Sequence, residues 1–205
     1  MTPLSAQYTL YDSHDYERYK WIQNDVNRQK LDNSWVTKGV VAFVSKYIFN
    51  ATGKPEFGLC HGTRRGLEQK WFAELLRCEV LGTEIADSAT EFPDTIQWDF
   101  HETKPEWIDA VDFIYSNSLD HAYDPEKALN AWMSCLKVGH FCVLEYDDEC
   151  HAPDCTSECD LFGVELNVFP YVILKWGKGR YAVREILDLP YYNKRHFVMI
   201  QRFET

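Results

Sequence analysis

Short apolar runs stop on polar or acidic residues through the middle of this chain, and the first four recur about every 15 to 25 residues. They are FGLC at Phe57–Cys60, the stretch Cys78 to Thr83 ending at Glu84, Thr95 to Trp98 ending at Asp99, and Val111 to Tyr115 ending in SNSLDH. A fifth, Phe141 to Leu144, ends at Glu145. Runs this short cannot bury themselves alone, and helix-like segments lie between some of them. LEQKWFAELLR puts Leu67, Trp71, Leu75 and Leu76 on one face, and Asp124-Pro125 opens the amphipathic DPEKALNAWMSCL, closed by Lys137-Val138-Gly139. The first unit reads as strand 56–60 and helix 66–77. This alternation predicts an α/β fold: a mostly parallel sheet with helices on both faces.

The ends of the chain follow other rules. His14 to Leu31 is charged, with Tyr19, Ile22 and Val26 at helical spacing, a pattern that predicts a covering helix. Asn33 and Ser34 are N-cap candidates for a second helix whose face is Val36, Val40, Val44, Tyr47 and Ile48, stopped by Thr52-Gly53. Tyr171 to Trp176, Tyr181 to Leu187 and His196 to Phe203 are strand-like and separated by turn residues, which predicts an antiparallel edge. A chain of 205 residues that is 45% hydrophobic fits one domain, residues 1–205, with covering helices in 1–53 and the α/β core in 56–205.

Composition narrows the partners. The net charge of -11 opposes a polyanion, so nucleic acid is not an expected substrate. The chain has no run of about 18 apolar residues and no basic-then-apolar start, so neither membrane span nor secretion is indicated and a cytoplasmic location is expected. Seven cysteines, an odd number, point to reduced thiols. Cys150-His151, Cys155 and Cys159 form C-H-x3-C-x3-C, unlike the paired knuckles of zinc sites, and no metal is expected there. Between Lys137 and Lys175 there is no Lys or Arg, while Glu145, Asp147, Asp148, Glu149, Asp154, Glu158 and Asp160 fall in one segment. That segment reads as an acidic lid.

In an open parallel sheet the ligand sits outside the carboxyl ends of the strands. The loop Cys60 to Gly66, Glu84, Asp99-Phe100, Asn117 to His121 and Glu145 to Asp148 would all lie there. A carboxylate some 20 residues after a glycine loop suits a ribose, because it accepts from two hydroxyls at once.

On these residues the region from Phe57 to Glu145 resembles the class I S-adenosylmethionine-dependent methyltransferases. SNSLDHAYDPEKALNAWMSCLKVGHFCVLEY is similar to that family's fourth strand, helix and fifth strand. The resemblance implies a seven-stranded Rossmann-like sheet with a late antiparallel hairpin, and S-adenosyl-L-methionine as cofactor. It implies cofactor contacts from Cys60, His61 and Gly62, from Glu84 to the ribose, from Asp99 to the adenine, from Ile85 and Phe100 on the two faces of the adenine ring, and from Asn117 and Ser118. The family's first loop is usually acid-x-G-x-G-x-G. Here Gly58 stands in place of the acid, Cys60 in place of the first glycine and Arg64 in place of the third, with Gly62 in register. Arg64 and Arg65 are candidates for the cofactor carboxylate.

His121, at the end of the fourth strand, is the candidate base for an acceptor hydroxyl or amine. The expected activity is methyl transfer to a small molecule, neutral or cationic given the acidic lid. A non-catalytic binding module of the same fold and a nicotinamide dehydrogenase are the alternatives.

Overall fold

The computed structural model describes residues 8–12, 15–189, 192 and 194–203. After a short strand β1 (Tyr8–Leu10), helix α1 (Tyr16–Gln29) starts at Asp15, whose side chain accepts from Arg18 N at 2.8 Å. Helix α2 (Lys38–Thr52) starts later than expected, capped by Thr37 rather than Asn33 or Ser34. Ser34 instead donates to the Val36 carbonyl at 2.8 Å and holds the connection out of helical conformation. Val40, Val41, Val44 and Ile48 of α2 are buried.

The alternation predicted between Phe57 and Glu145 is present. Strand β2 (Phe57–His61), α3 (Leu67–Leu76), β3 (Glu79–Glu84), β4 (Thr95–Gln97), β5 (Val111–Ser116), α4 (Pro125–Cys135) and β6 (Leu136–Asp147) follow in order. Asp124 caps α4 by accepting from Lys127 N at 2.9 Å, with Pro125 in the first turn. The expected turn at Lys137–Gly139 is not a separate connection, because α4 ends at Cys135 and β6 begins at once. Lys137 to His140 instead bulge from β6, where the pairing with β5 slips between Val111 and Phe113. Asp112 anchors the bulge, accepting from Lys137 Nζ at 2.7 Å.

Strand β7 (Phe162–Val164) pairs antiparallel with β1, an association that the sequence did not suggest. Tyr171 to Trp176 is not a strand but part of helix α5 (Phe169–Gly177). Its β-branched and aromatic composition disguises Phe169, Val172, Ile173 and Trp176, which are buried at helical spacing behind a first-turn Pro170. Strands β8 (Tyr181–Asp188) and β9 (Arg195–Arg202) complete the sheet as expected.

The seven-stranded order is β4-β3-β2-β5-β6-β9-β8, parallel from β4 to β6 and antiparallel at β6/β9 and β9/β8. Chain direction across the sheet reverses between β2 and β5, so the loops after these two strands flank the switch point where α/β sheets bind ligands. One core layer packs Leu59, Ile114, Leu129, Trp132 and Ile173 on the α4/α5 face. The other packs Val44, Ile48, Phe72, Phe113 and Val143 under α2 and α3. Gly58 has a steric reason: a Cβ there would lie 2.2 Å from the Phe113 ring, which leaves no room for the acid usual in that position. Among the described residues no helix is long and apolar enough to cross a membrane.

Candidate active site

Strand β2 runs one residue further than the sequence suggested, to His61, so the loop begins at Gly62. Gly62 and Thr63 both donate their backbone N–H to the Thr83 carbonyl, at 2.8 and 3.2 Å. Gly62 has φ +72°, and a Cβ there would stand 2.5 Å from Ser118 Cβ and Oγ in the loop after β5. Only glycine allows that approach. Arg64 and Gly66 also have positive φ, +48° and +76°. The loop therefore keeps a left-handed residue at 64 without a glycine, at a cost of about 1–2 kcal/mol.

Arg64 joins three elements. Its backbone N–H donates to Glu84 Oε2 at 3.0 Å, while its guanidinium donates to the carbonyls of Lys30 and Asn33 just past α1, at 3.2 and 3.1 Å. Glu84 Oε1 accepts from Ala86 N at 3.1 Å, so the carboxylate is fixed at the end of β3 by one backbone bond to each oxygen. Each oxygen keeps a lone pair to offer.

Helix α1 covers these strand ends. Between them lies a chamber of about 50 Å³, lined by Tyr19, Gln23, Val26 and Asn27 of α1, by Lys30 just past it, and on the sheet side by Gly62, Arg64, Glu84, Ile85, Asp99, Phe100, Ser118 and His121. Asp99 Oδ1 accepts from His101 Nδ1 at 2.6 Å and Oδ2 from Tyr16 OH at 2.9 Å. Burial alone would raise the Asp99 pKa; these hydrogen bonds and the His101 ring hold it below the usual value. Gly62, Ser118 and His121 also line a larger cleft of about 580 Å³, where Asn117 joins them.

Of the nominated cofactor contacts, Cys60 and His61 are not brought to either chamber. Cys60 is fully buried in the layer under α2 and α3. His61 stacks on Trp132 with ring centroids 4.8 Å apart, and Nδ1 meets Thr83 Oγ1 at 2.8 Å. Burial pushes its pKa down to about 3, so it is a neutral core residue. Both lie on β2 itself, where the extra strand residue buries them.

His121 is held for chemistry. Its Nδ1 lies 2.8 Å from the Cys159 carbonyl, which can only accept, so Nδ1 carries the proton and Nε2 of the neutral ring offers its lone pair. Asp160 Oδ1 stands 3.2 Å from Nδ1 and Asp120 Oδ2 3.9 Å from Nε2. Burial works to lower the His121 pKa, but the charges of Asp120 and Asp160 and the Cys159 carbonyl carry it above its ordinary value.

The larger cleft also contains residues that the sequence did not single out: Trp35, Glu68 and Asp120. The acidic segment does reach it, through Glu149, Cys150, His151, Cys155 and Asp160. Its charge is partly compensated, however. Arg195 pairs with Glu145 and Asp147 at 3.4 and 3.1 Å, Lys194 pairs with Glu149, and Arg18 pairs with Glu158 at 3.2 Å. These cations come from α1 and β9 and its approach, far away in sequence.

Glu68 sits in the first turn of α3, an ordinary place for an acid, yet it is 8% exposed and burial pushes its pKa up to about 7. A folded pKa above the unfolded one means that the fold favours the protonated carboxyl. That contribution is full below about pH 4.5 and is lost as pH rises through about 7. Glu68→Gln is therefore expected to leave the melting temperature unchanged near about pH 4 and to stabilise the fold near about pH 8 by about 1–3 kcal/mol. A lower melting temperature at the higher pH would mean that the carboxylate is needed there as an anion.

No family model and no curated protein matches the sequence. The fold is matched by solved structures. The 1,6-didemethyltoxoflavin-N1-methyltransferase of Burkholderia thailandensis, with 1,6-didemethyltoxoflavin and S-adenosylhomocysteine bound, superposes with a TM-score of 0.69 at 11% identity, over 93% of this chain and 91% of that one. The plantazolicin methyltransferase BpumL, in complex with a triazolic desmethylPZN analog and SAH, gives a TM-score of 0.67 at 10% identity over 92% and 98%. The sugar N-methyltransferase KedS8 of Streptoalloteichus sp. gives 0.63 at 12% over 88% and 92%. The likeness is one of fold: this chain has the Rossmann-like methyltransferase fold, with its seven strands and C-terminal antiparallel hairpin.

Proposed function

We propose that this protein is an S-adenosyl-L-methionine-dependent methyltransferase acting on a small molecule. The observation that carries this reading is the pair of chambers that meet at Gly62, Ser118 and His121. One presents a fixed carboxylate and an aromatic ring, and the other is roomy and opens beside an imidazole. The residues suit the cofactor. Glu84 offers two oxygens to a ribose, Ile85 and Phe100 flank the place of an adenine, and the loop at Gly62 is bare where a Cβ would intrude. Asn117 and Ser118 stand beside the cofactor path, and Asp99 is in reach of an adenine amino group.

When bound, the cofactor supplies an electrophilic methyl group, and the protein's task is to align the acceptor with it. In the reaction His121 Nε2 takes the acceptor's proton, while the Cys159 carbonyl and Asp160 steady the ring from Nδ1. A chamber of about 50 Å³ holds a few water molecules, too little for an adenosyl group. Helix α1 therefore moves outward to admit an adenosyl group, releasing the Tyr16–Asp99 hydrogen bond and the grip of Arg64 on the carbonyls of Lys30 and Asn33.

The acceptor is neutral or cationic. Asp120 and Asp160 favour a cation immediately beside His121, although Lys30, Arg64 and Arg65 line the same cleft. Turnover of a cationic acceptor, followed with methyl-labelled cofactor, is expected to fall as ionic strength rises and the Debye length shrinks below about 8 Å. Efficient methylation of a phosphorylated acceptor, indifferent to salt, would overturn that part of the reading. The protein works without nucleic acid or membrane on this reading, in the cytoplasm.

A further inference from the structure

Asp120, His121 and Asp160 each offer one ligand atom, and those atoms lie within 4.8 Å of one another. Asp120 and His121 come from the loop after β5, and Asp160 comes from the acidic segment that reaches back over the strand ends. No metal-binding spacing in sequence unites them. All three line the larger cleft.

A second observation concerns Asp120 itself. It is only 9% exposed, and its Oδ1 is buried without a hydrogen-bond partner. A buried carboxylate oxygen with nothing to accept from is costly, by about 1–3 kcal/mol or more. Two imidazoles face its other oxygen: His121 Nε2 at 3.9 Å and His151 Nε2 at 3.8 Å. Neither is within hydrogen-bonding distance. The two rings are not equivalent. His151 Nδ1 accepts from Asp147 N at 3.0 Å, so the neutral ring carries its proton on Nε2, turned toward Asp120 but 3.8 Å from its Oδ2. His121 has the opposite tautomer, fixed by the Cys159 carbonyl, and its Nε2 is free to ligate.

We propose that Asp120, His121 and Asp160 form a divalent-cation site on the wall of the larger cleft. Two carboxylates and one imidazole suit Mn²⁺, Fe²⁺ or Zn²⁺ better than Mg²⁺, which prefers oxygen alone. Bonds of about 2.0–2.2 Å require the three ligand atoms to draw closer together. Asp160 Oδ1 stands on the Nδ1 side of His121, so this side chain, 34% exposed on a loop, would swing toward Nε2 and leave Ser157 Oγ, 3.4 Å from its Oδ2, to join the site. His151 stands behind Asp120 as the kind of donor that orients a ligating carboxylate.

The site goes beyond the methyl-transfer reading. A cation there takes the lone pair that His121 otherwise offers an acceptor, so the centre has two states. In one the acceptor loses its proton to the imidazole. In the other it binds the cation at the open cleft side, which lowers the pKa of a coordinated hydroxyl.

The test reads cation uptake alone and so is separate from any assay of methyl transfer. The chain is stripped with chelator and titrated with Mn²⁺, bound ion being read from the loss of the free-ion electron paramagnetic signal. Mn²⁺ discriminates against the nearby thiols, which would capture Zn²⁺. One ion per chain is expected. Asp160→Asn and Asp120→Asn should each weaken uptake tenfold or more, and a Cys150→Ser/Cys155→Ser double variant should leave it unchanged. Asp160→Asn changes a partly exposed loop side chain and should fold even if Asp120→Asn does not. Absence of uptake at millimolar Mn²⁺, uptake indifferent to Asp160→Asn, or uptake lost in the cysteine variant would each overturn the proposal.

Discussion

Glu84→Gln is expected to weaken the binding of S-adenosylhomocysteine by about a hundredfold. The carboxylate is 8% exposed and already fixed by the backbone N–H groups of Arg64 and Ala86, so its remaining lone pairs are aimed without further loss of freedom. Two hydroxyls bonded to one anion are each worth about 1.5–3 kcal/mol. An amide keeps a single acceptor oxygen, and its NH₂ must oppose one of the two backbone donors. The net loss is then about 3 kcal/mol, the hundredfold change. Because the same carboxylate holds the loop, the melting temperature should fall slightly as well. Calorimetry on the folded variant separates the effects, and unchanged affinity would remove Glu84 from the site.

His121→Gln should lower kcat about 10²- to 10⁴-fold, the usual contribution of a positioned base, while cofactor affinity changes little. Glutamine roughly preserves the shape and can still donate to the Cys159 carbonyl, but it has no ring nitrogen to take a proton or hold a cation. An equal loss in substrate affinity with kcat intact would make His121 a binding residue. Full activity would mean an acceptor that is already a nucleophile and needs no base.

What could be read from the chain divides along physical lines. Strands β2, β3, β5 and β6 were legible because a central parallel strand is apolar on both faces, and the edge strand β4 because its short run breaks off just before a carboxylate. Thus Glu84 and Asp99 marked their own positions. Gly62 was legible because its glycine has a steric cause, the 2.5 Å approach of Ser118. Helix α5 was misread as a strand because Val172, Ile173 and Trp176 suit either period over so short a run, and burial at helical spacing decided it. Cys60 and His61 were placed in the loop because one residue of strand length cannot be resolved from composition.

The cleft's other residues lay beyond local reasoning. Trp35, Glu68 and Asp120 arrive from three separate segments, and only the folded sheet brings them together. The acidic segment looked like an unscreened field because its counter-ions Arg18, Lys194 and Arg195 belong to distant elements. The C-H-x3-C-x3-C spacing of the cysteine segment argues against a metal there, and nothing in the local sequence points to one elsewhere. The tightest set of donors among the described residues instead combines two loops about 40 residues apart.

Cofactor binding is the claim on which the rest depends, and isothermal titration of the purified chain with S-adenosylhomocysteine, and separately with NAD, tests it most directly. Saturable one-to-one binding of S-adenosylhomocysteine, abolished or strongly weakened in Glu84→Gln and with no heat from NAD, is the predicted result. Saturable binding of NAD in its place, or no binding of S-adenosylhomocysteine at millimolar concentration, would contradict it.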